Sequence, residues 1–254
     1  MTTLLLDVGN TYLKWGVAGD DGISKTGKIA QQKIRDKGLS VLTTRLPTRI
    51  DSAMASNVAG TSFATRLAGL VHAHCNCDLH FAKPVKKAYG LTNSYSRPRQ
   101  LGVDRWVAMV GAKAEVSNAC VIVDAGTAVT IDAVDAAGLH MGGQILPGIG
   151  LMVAALHENT SDLPLVPSGR KVPGNDLQMF ANRTRDAILN GAHNAVIGAV
   201  ERAIKILRSN AYRPKLILTG GDASAILAAL DKPAIHRPHL VLQGLLHMMR
   251  VDQK

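Results

Sequence analysis

The chain is poor in aromatic residues and in cysteine, and it has no long apolar run. Only 4% of its 254 residues are aromatic, while small residues such as Ala, Gly and Val dominate, which suits closely packed layers of helices and sheet. Three cysteines, Cys75, Cys77 and Cys120, are an odd number and make no disulfide framework. No stretch reaches the roughly 18 apolar residues of a membrane-spanning helix, so no membrane partner is expected. Asp7 interrupts the apolar N-terminus, which also lacks basic residues, so we expect no signal peptide and a cytoplasmic protein.

Acidic residues are also scarce beside basic ones. The chain has 19 Asp and Glu against 29 Lys and Arg, a formal net charge of +10, which favours anionic partners such as a nucleotide, an acidic metabolite or nucleic acid. The basic residues are spread along the chain, and the short clusters at 83–87 and 97–99 contain no interleaved aromatics. A solvated basic surface is therefore favoured, and nucleic acid is not the expected partner.

One segment, residues 72–80, is rich in histidine and cysteine. Its His-x-His and Cys-x-Cys spacing resembles a metal-binding tract, but the alternation of a β-strand would produce the same spacing. No second ligand cluster matches it elsewhere in the sequence, so we favour the strand interpretation.

An apolar run that ends in Asp-x-Gly, with a Thr one or two residues later, occurs twice. Residues 4–11 read Leu-Leu-Leu-Asp-Val-Gly-Asn-Thr, and residues 121–127 read Val-Ile-Val-Asp-Ala-Gly-Thr. A second apolar stretch follows each turn, which predicts two strand–turn–strand units with a carboxylate and a hydroxyl at the bend. The glycine lets the backbone come close to a ligand. One such turn is usually a structural hairpin, but two copies suggest a duplicated domain that grips a phosphate from both sides.

The order of elements predicts an α/β protein with an internal duplication. Hairpin units alternate with helices in both halves, and we place the boundary between two domains, residues 1–117 and 118–254, where the second unit begins. Helices are predicted at 62–74, from Asp104 onward and at 184–207, whereas residues 161–176, with three prolines and two glycines, predict a loop. A buried strand ends in Thr-Gly-Gly-Asp at 219–222, where a surface without side chains suits an adenine or a ribose.

A second arrangement lies at a predicted junction of loop and helix, where Asp104 and Arg105 are adjacent. An aspartate at a helix start is often a cap, and the arginine beside it can be a surface ion-pair partner. Alternatively, Asp104 accepts the proton of an attacking hydroxyl and Arg105 holds an anionic group of the substrate. The residues alone leave both interpretations open.

Taken together, the motifs and their order resemble the type III pantothenate kinase family. Four runs carry the resemblance: Asp-x-Gly-Asn-Thr at 7–11, Tyr-x-x-Pro-x-x-Leu-Gly-x-Asp-Arg at 95–105, Asp-Ala-Gly-Thr-Ala at 124–128 and Gly-Gly-x-Ile-x-Pro-Gly at 142–148. Weaker matches occur at 157–160, 163–164, 182–184 and 219–222. Any one run is a weak signal, but their order and spacing are specific.

The resemblance implies a fold, a reaction and an assembly. The fold would be two actin-like ATPase (ribonuclease H-like) domains, each a mixed sheet flanked by helices, with the active site in the cleft between them. The reaction would be the phosphorylation of pantothenate by ATP, the first step of coenzyme A biosynthesis, with Mg²⁺ or another divalent ion and with K⁺ or NH₄⁺. The assembly would be a homodimer whose pocket is shared between the subunits.

The resemblance also assigns roles to residues. The loop that holds phosphate and Mg²⁺ would consist of Asp7, Val8, Gly9, Asn10, Thr11, Tyr12, Leu13 and Lys14. The pantothenate site would consist of Tyr95, Gly102, Val103, Asp104 and Arg105, with Asp104 as the catalytic base and Arg105 as the carboxylate grip. Asp124 would bind the monovalent cation, Thr127 would contact the phosphates of ATP, and Thr184 would reach the pantothenate pocket of the partner subunit.

Two other functions fit parts of the sequence. An ATPase on the same fold would hydrolyse ATP without a small acceptor, but hydrolysis needs no second anion grip of the kind found at residues 102–105. An ATP-binding transcriptional accessory protein would fit the net charge of +10. No helix-turn-helix, zinc pattern or aromatic and basic face supports that second alternative.

Overall fold

The computed structural model describes residues 1–166, 180–230 and 232–253. The chain forms two compact units: Met1–Glu115 with Leu240–Lys254, and Val116–His239. Of the predicted loop at 161–176, residues 161–166 contain no helix or strand, and the remainder lies outside the described residues. Within the described ranges, no helix is both long and apolar enough to cross a bilayer.

A five-stranded mixed sheet forms the centre of the first unit. Its strands are β1 (Thr3–Val8), β2 (Tyr12–Gly19), β3 (Gly22–Ala30), β4 (Ser52–Asn57) and β5 (Leu79–Phe81), arranged in the order β3-β2-β1-β4-β5. The first three strands are antiparallel neighbours, as the predicted hairpin and third strand require, while β4 and β5 run parallel to β1 and β4 respectively. Every residue of β1 is buried, since both sheet faces are covered there.

Helices cover both faces of this sheet: α1 (Gln31–Lys37), α2 (Thr61–Cys75), α3 (Val103–Glu115) and, at the C-terminus, α7 (Leu240–Asp252). Leu4, Leu6 and Val8 point to the face where α1 and α2 contribute core residues such as Leu67. The opposite face, which carries Leu5 and Asp7, receives α3 and α7. Two short strands, β6 (Lys87–Ala88) and β7 (Leu91–Thr92), form a separate hairpin before α3.

The C-terminal helix groups with the first unit, whereas the predicted boundary assigned all of residues 118–254 to the second domain. Glycines explain this grouping. A Cβ added to Gly111 of α3 would lie 2.7 Å from the carbonyl oxygen of Leu240, and one added to Gly244 of α7 would overlap the carbonyl of Val107. The two helices therefore pack backbone to backbone. Such a contact joins residues far apart in the sequence, so no local pattern indicates it.

The second unit repeats the same sheet. Its strands are β8 (Cys120–Ala125), β9 (Ala128–Val134), β10 (His140–Pro147), β11 (Lys215–Thr219) and β12 (Ala234–His236), in the order β10-β9-β8-β11-β12. Its helices are α4 (Ile149–Glu158), α5 (Thr184–Ser209) and α6 (Ala223–Ala229). Val196 and Val200 of α5 are fully buried in a core with Val123 and Leu218 of the sheet. The matching strand orders confirm the predicted α/β duplication.

The strand interpretation of the histidine and cysteine segment is wrong for its first part, whereas His80 lies on β5. His72, His74 and Cys75 lie in the last turn of α2, and Asn76, with a φ of 52°, ends the helix in the left-handed conformation. The His-x-His spacing therefore occurs at a helix end, although the same spacing would also arise on a strand. Among the described residues, no group of three or more His, Cys, Asp and Glu side chains is arranged to hold a metal ion.

Candidate active site

Asp7 lies near the end of β1 and is only 7% exposed. Its cross-strand neighbours are Lys14 on β2 and Ser56 on β4. Residues in register across a sheet point to the same face, so the ammonium, the carboxylate and the hydroxyl form one row. The Nζ of Lys14 is 3.7 Å from Oδ2 of Asp7. This row offers a cation for phosphate oxygens beside a carboxylate for a metal ion.

The turn between β1 and β2 is held from behind by Gln31. The side-chain amide of Gln31 donates to the carbonyl of Gly9 at 2.9 Å, and its backbone N–H donates to the carbonyl of Thr11 at 2.8 Å. Gly9 itself donates to the carbonyl of Tyr12 at 3.0 Å, while Asn10 and Thr11 are exposed at the tip. Gln31 was not among the predicted site residues, because only tertiary structure shows that a polar residue at the start of α1 is buried.

The other predicted members of this loop have different roles. Val8 and Leu13 are fully buried and belong to the core, so only their backbone can face a ligand. Tyr12 is 41% exposed, and the ammonium of Lys28 lies 4.8 Å from the centre of its ring. The polar side chains of this loop are therefore those of Asp7, Tyr12 and Lys14 and those at the tip of the turn.

Asp124 occupies the equivalent position in the second sheet. It lies near the end of β8, beside Thr130 on β9 and Thr219 on β11. The row is thus hydroxyl, carboxylate, hydroxyl, in place of the ammonium, carboxylate and hydroxyl of the first sheet. Thr219 is 2% exposed and Asp124 is partly exposed. Both neighbours of Asp124 in the row therefore offer hydroxyl oxygens, and neither is a lysine.

Two glycines from distant motifs enclose the turn that follows Asp124. Gly148, which ends the predicted run at 142–148, donates its N–H to the carbonyl of Thr127 at 2.9 Å. A Cβ at Gly148 would overlap the carbonyl of Gly126, and one at Gly220 would overlap the carbonyl of Ala125. The φ of Gly220 is 95°, which also requires glycine. Three motifs that are far apart in the sequence therefore meet at one turn, and the side chain of Thr127 is exposed at its tip.

Asp222 follows these glycines and anchors the same turn. Its backbone N–H donates to the carbonyl of Ala125 at 3.0 Å. Burial raises the pKa of the Asp222 carboxyl above its ordinary value, and the nearby His193 partly offsets this increase. His193 is 5% exposed, and its Nδ1 lies 2.9 Å from the carbonyl oxygen of Leu189. Because that carbonyl can only accept, Nδ1 carries the hydrogen, which leaves Nε2 for other partners.

The loop before α3 is organised around the fully buried Asn93. Its side chain donates to the carbonyl of Pro98 at 3.2 Å and accepts the N–H of Tyr95 at 3.0 Å, and Lys86 donates to its carbonyl at 2.8 Å. Asn93 was missed as a site residue, since an asparagine in a loop rich in Gly, Ser and Pro is usually read only as a turn signal. It fixes the backbone that presents Tyr95.

Arg105 and Tyr95 form a pair at the start of α3. The guanidinium Nη1 of Arg105 donates to the phenol oxygen of Tyr95 at 3.0 Å, and Arg105 is only 6% exposed. The Oδ1 of Asp104 accepts the N–H of Arg105 at 2.8 Å, so the carboxylate also binds the first turn of the helix. A Cβ at Gly102 would lie 2.7 Å from the same oxygen. Asp104, Val103 and Gly102 are all partly exposed.

The predicted base and the predicted phosphate loop share one face of the first sheet. Gly16 of β2 lies on the face of Asp7, and a Cβ there would be 3.2 Å from the side chain of Leu242 on α7. That helix packs directly on α3, which also contacts β4. The helix α3, which carries Asp104 and Arg105 in its first turn, therefore covers the face that carries Asp7.

Thr184 belongs to the second unit. It is the first residue of α5 and its side chain is exposed, with Arg183 as the residue before the helix. Its place at a helix start agrees with the predicted start near residue 184. The other predicted pantothenate residues of the same chain belong to the first unit and are distant from Thr184 in sequence: Tyr95, Gly102, Val103, Asp104 and Arg105.

Comparison with known sequences identifies a family. A family profile described as type III pantothenate kinase matches residues 3–206. The type III pantothenate kinase of Dechloromonas aromatica (strain RCB) is 36% identical over 245 residues, which cover 96% of this chain and 97% of that protein. The type III pantothenate kinase of Halorhodospira halophila (strain DSM 244 / SL1) is 34% identical over 257 residues, which cover 99% of each chain.

Comparison with solved structures identifies the fold. A Campylobacter jejuni protein named as a Baf family transcriptional activator superposes with a TM-score of 0.63 at 21% identity, over 98% of each chain. A Sinorhizobium meliloti protein named as a 2-dehydro-3-deoxygalactonokinase gives 0.60 at 13% identity, over 98% of this chain and 99% of the other. At these identities the likeness concerns the fold alone, which is that of actin-like ATPases and sugar kinases. Because the family profile and the relatives span most of the sequence, this chain belongs to the type III pantothenate kinase family.

Proposed function

We propose that this chain transfers the γ-phosphate of ATP to the primary hydroxyl of pantothenate, giving 4'-phosphopantothenate, the first step of coenzyme A biosynthesis. Membership of the family supports the reaction. The structural observation that carries the proposal is the group at the start of α3, where a carboxylate adjoins a paired arginine and tyrosine. A protein that only hydrolysed ATP would have no need of such an acceptor site.

Asp104 is the general base of the proposed reaction. Its partly exposed carboxylate at the start of α3 accepts the proton of the pantothenate hydroxyl as that oxygen attacks the γ-phosphorus. The proton moves to a carboxylate oxygen, and the bond between the γ-phosphorus and the bridging oxygen of ADP breaks. The hydrogen bond from the N–H of Arg105 orients the Asp104 carboxylate. Gly102 lets the loop pass close to that carboxylate without a side chain in the way.

Arg105 is the group that holds the pantothenate carboxylate. A guanidinium offers planar donors that match a carboxylate, and its burial strengthens the attraction. The phenol of Tyr95 accepts one of its N–H groups at 3.0 Å, which fixes the plane of the guanidinium. Gly102 and Val103 complete the proposed surface around the acceptor. Asn93 supports it from inside the loop by holding the backbone of Tyr95.

The residues at 7–14 and Thr127 are the proposed ATP-phosphate contacts. Asp7 supplies a carboxylate oxygen, the kind of ligand that Mg²⁺ binds, and Lys14 supplies a positive charge 3.7 Å away for phosphate oxygens. A divalent ion held there would supply positive charge against the charge that develops on the phosphates during transfer. Asn10 and Thr11 are exposed at the tip of the first turn and Thr127 at the tip of the second, where backbone N–H groups and a hydroxyl would contact the phosphates.

Asp124 is the proposed ligand of a monovalent cation, K⁺ or NH₄⁺. Its row contains the hydroxyls of Thr130 and Thr219 in place of a second charge. One carboxylate between two neutral hydroxyls offers a single negative charge, which matches the single charge of K⁺ or NH₄⁺. The assignment separates the two aspartates by their neighbours, although their positions in the two sheets are equivalent.

The proposed assembly is a cytoplasmic homodimer with a shared pantothenate pocket. Thr184 carries this part of the proposal, since its exposed hydroxyl at the start of α5 is available to a second subunit. The positive net charge of +10 suits two anionic substrates, ATP and pantothenate.

A coupled assay of ADP release tests the function. We expect ADP release to depend on pantothenate and to be near background without it. ADP release at the same rate with and without pantothenate would instead favour a simple ATPase.

A further inference from the structure

Ser56 has a feature that the proposed reaction does not yet explain. It is fully buried at the second-to-last position of β4, among the last residues before the strand ends at Asn57. Within the described part of the chain, its hydroxyl oxygen has no hydrogen-bond partner. A buried hydroxyl without a partner costs free energy, so such groups are rare and usually indicate a water or a ligand that completes them.

A second serine on the same strand shows that this face can satisfy a hydroxyl. Ser52 lies four residues earlier on β4 and therefore on the same face, and it is 9% exposed. Its Oγ is 3.0 Å from Oγ1 of Thr3, the residue in register with it on β1. The unsatisfied hydroxyl is therefore specific to the position of Ser56, whose neighbour in register is Asp7.

The row that contains Asp7 limits what the partner of Ser56 can be. Lys14, on the other side of Asp7, has an ammonium that only donates hydrogen bonds. Of these three residues, Asp7 and Ser56 are therefore the two whose side chains can accept a hydrogen bond. Mg²⁺ usually keeps several of its waters, and each of these waters donates hydrogen bonds to nearby acceptors. A hydroxyl beside a metal-binding carboxylate has the chemistry to receive one of them.

We propose that Ser56 is a positioning residue of the divalent-cation site, where its hydroxyl accepts a hydrogen bond from a water bound to the cation that Asp7 holds. The inference rests on the proposed function only in taking Asp7 as a ligand of the cation that accompanies ATP. Groups that hold the water or the ligand of a metal typically change its affinity by about 10- to 100-fold when they are removed. Ser56 thus sets how much divalent ion the protein needs to bind ATP.

The test compares Ser56→Ala with Ser52→Ala, a matched change on the same strand and face. Calorimetry measures the affinity of each purified protein for ATP over a series of Mg²⁺ concentrations and in EDTA. For Ser56→Ala we expect the Mg²⁺ concentration that gives half of the affinity gain to rise about 10-fold, with the affinity in EDTA unchanged. For Ser52→Ala we expect the Mg²⁺ response of the wild type.

Thermal unfolding provides a second readout that needs no turnover. Without ligands, Ser56→Ala should melt at or above the wild-type temperature, because it removes an unsatisfied buried hydroxyl. With Mg²⁺ and ATP it should gain less than the wild type. Ser56→Cys, close to serine in size but a weak acceptor, should behave like Ser56→Ala. The assignment would be overturned if Ser56→Ala and Ser56→Cys both showed the wild-type Mg²⁺ response. It would also be overturned if they lost as much affinity for ATP in EDTA as in Mg²⁺.

This design keeps the two proposals apart. If the wild type binds ATP with Mg²⁺ but pantothenate does not cause it to consume ATP, the proposed function fails, while the binding test of Ser56 remains valid. If pantothenate-dependent turnover is normal and the Mg²⁺ response of Ser56→Ala is that of the wild type, the Ser56 proposal alone fails.

Discussion

At the scale of single residues, the same position in two sheets carries two different chemistries. Asp7 and Asp124 both lie near the end of the first strand of their sheet, but Asp7 stands beside Lys14, and Asp124 stands between Thr130 and Thr219. A neighbouring ammonium attracts the negative charge of phosphate. Neighbouring hydroxyls add neutral oxygen donors. The cross-strand neighbours therefore suggest different ions for two carboxylates with the same backbone surroundings.

Asp104→Asn tests the proposed base. Asparagine keeps the size of the side chain and can still accept the N–H of Arg105, but it cannot take the proton of the pantothenate hydroxyl. We expect kcat to fall by about 10²-fold or more, with the affinity for ATP unchanged, in steady-state assays and calorimetry. Glu115→Gln, at the other end of α3, is the matched control and should keep wild-type turnover. Turnover of Asp104→Asn equal to that of the control would rule out the role.

Asp222→Asn tests the electrostatics beside the second turn. Since burial raises the pKa of this carboxyl above its ordinary value of 3.8, the folded protein binds the proton more tightly than the unfolded chain. Its contribution to stability is then fully present below the unfolded pKa and is lost as pH rises through the folded pKa. The amide does not titrate. Urea unfolding from pH 4 to pH 7 should therefore show the variant gaining stability relative to the wild type as pH rises, then a constant difference. A difference independent of pH would contradict the shift.

At the scale of elements, glycines bring distant motifs together. Gly148 precedes α4 and Gly220 follows β11, and each approaches the backbone of the turn after Asp124 too closely for a side chain. The family motifs at 142–148 and 219–222 are therefore partly requirements of packing: they keep the turn that carries Thr127 in shape. Glycine is needed at these positions whatever ligand the turn binds.

Gly148→Ala tests this packing. The added methyl would overlap the carbonyl of Gly126, so the turn must move. We expect the KM for ATP to rise by about tenfold or more, because misplacing a phosphate contact by an ångström is costly. Gly150→Ala, two residues later in the first turn of α4, has open space around its Cβ and should leave the KM unchanged. Kinetics of both variants at saturating pantothenate would check this, and an unaltered KM in Gly148→Ala would argue against the role of the turn.

Much of this arrangement could be predicted from the sequence, because its signals are local. The hairpins that carry Asp7 and Asp124 follow from apolar runs that end in Asp and Gly, and the start of α3 follows from a loop that leads into helical spacing. Gln31, Asn93 and Ser56 gave no such signal. Their roles depend on burial beside residues that lie far away in the sequence, and polar residue types rarely reveal burial.

At the scale of the whole molecule, two sheets with the same strand order carry different residues around their equivalent aspartates. Both five-stranded sheets place their first three strands and their two added strands in the same order. Apart from Thr184, however, the proposed acceptor residues lie before and at the start of α3, for which residues 95–105 supply the sequence motif. Duplication accounts for the two similar turns after Asp7 and Asp124, and in the proposed reaction a segment outside the repeat determines which molecule receives the phosphate.

The monovalent cation gives a prediction for the intact enzyme. If the row around Asp124 binds K⁺ or NH₄⁺, turnover should depend on one of these ions, and Asp124→Asn should remove the dependence together with most of the activity. The measurement is the initial rate in buffers of equal ionic strength that contain K⁺, NH₄⁺, Na⁺ or Tris alone. Full activity in Na⁺ or Tris would show that the assignment of Asp124 is wrong.

A shared pocket gives a prediction for mixed subunits. Asp104→Asn and Thr184→Arg should each be nearly inactive, but in a mixed dimer one of the two pockets would combine an intact Asp104 with an intact Thr184 of the other subunit. Random mixing should then restore up to about a quarter of wild-type activity, since half of the dimers are mixed and each has one intact pocket. Activity that stays at the level of the separate variants, with mixed dimers verified by mass spectrometry, would refute the shared pocket.

Transfer of the phosphate from ATP to pantothenate can be followed directly. Purified protein is incubated with ATP labelled at the γ-phosphate, Mg²⁺, K⁺ and pantothenate, and the products are separated and counted. We expect the label to appear in 4'-phosphopantothenate in proportion to the ADP formed, and Asp104→Asn to abolish most of the transfer. Label that appears only in inorganic phosphate, or no release of label while ATP is bound, would contradict it.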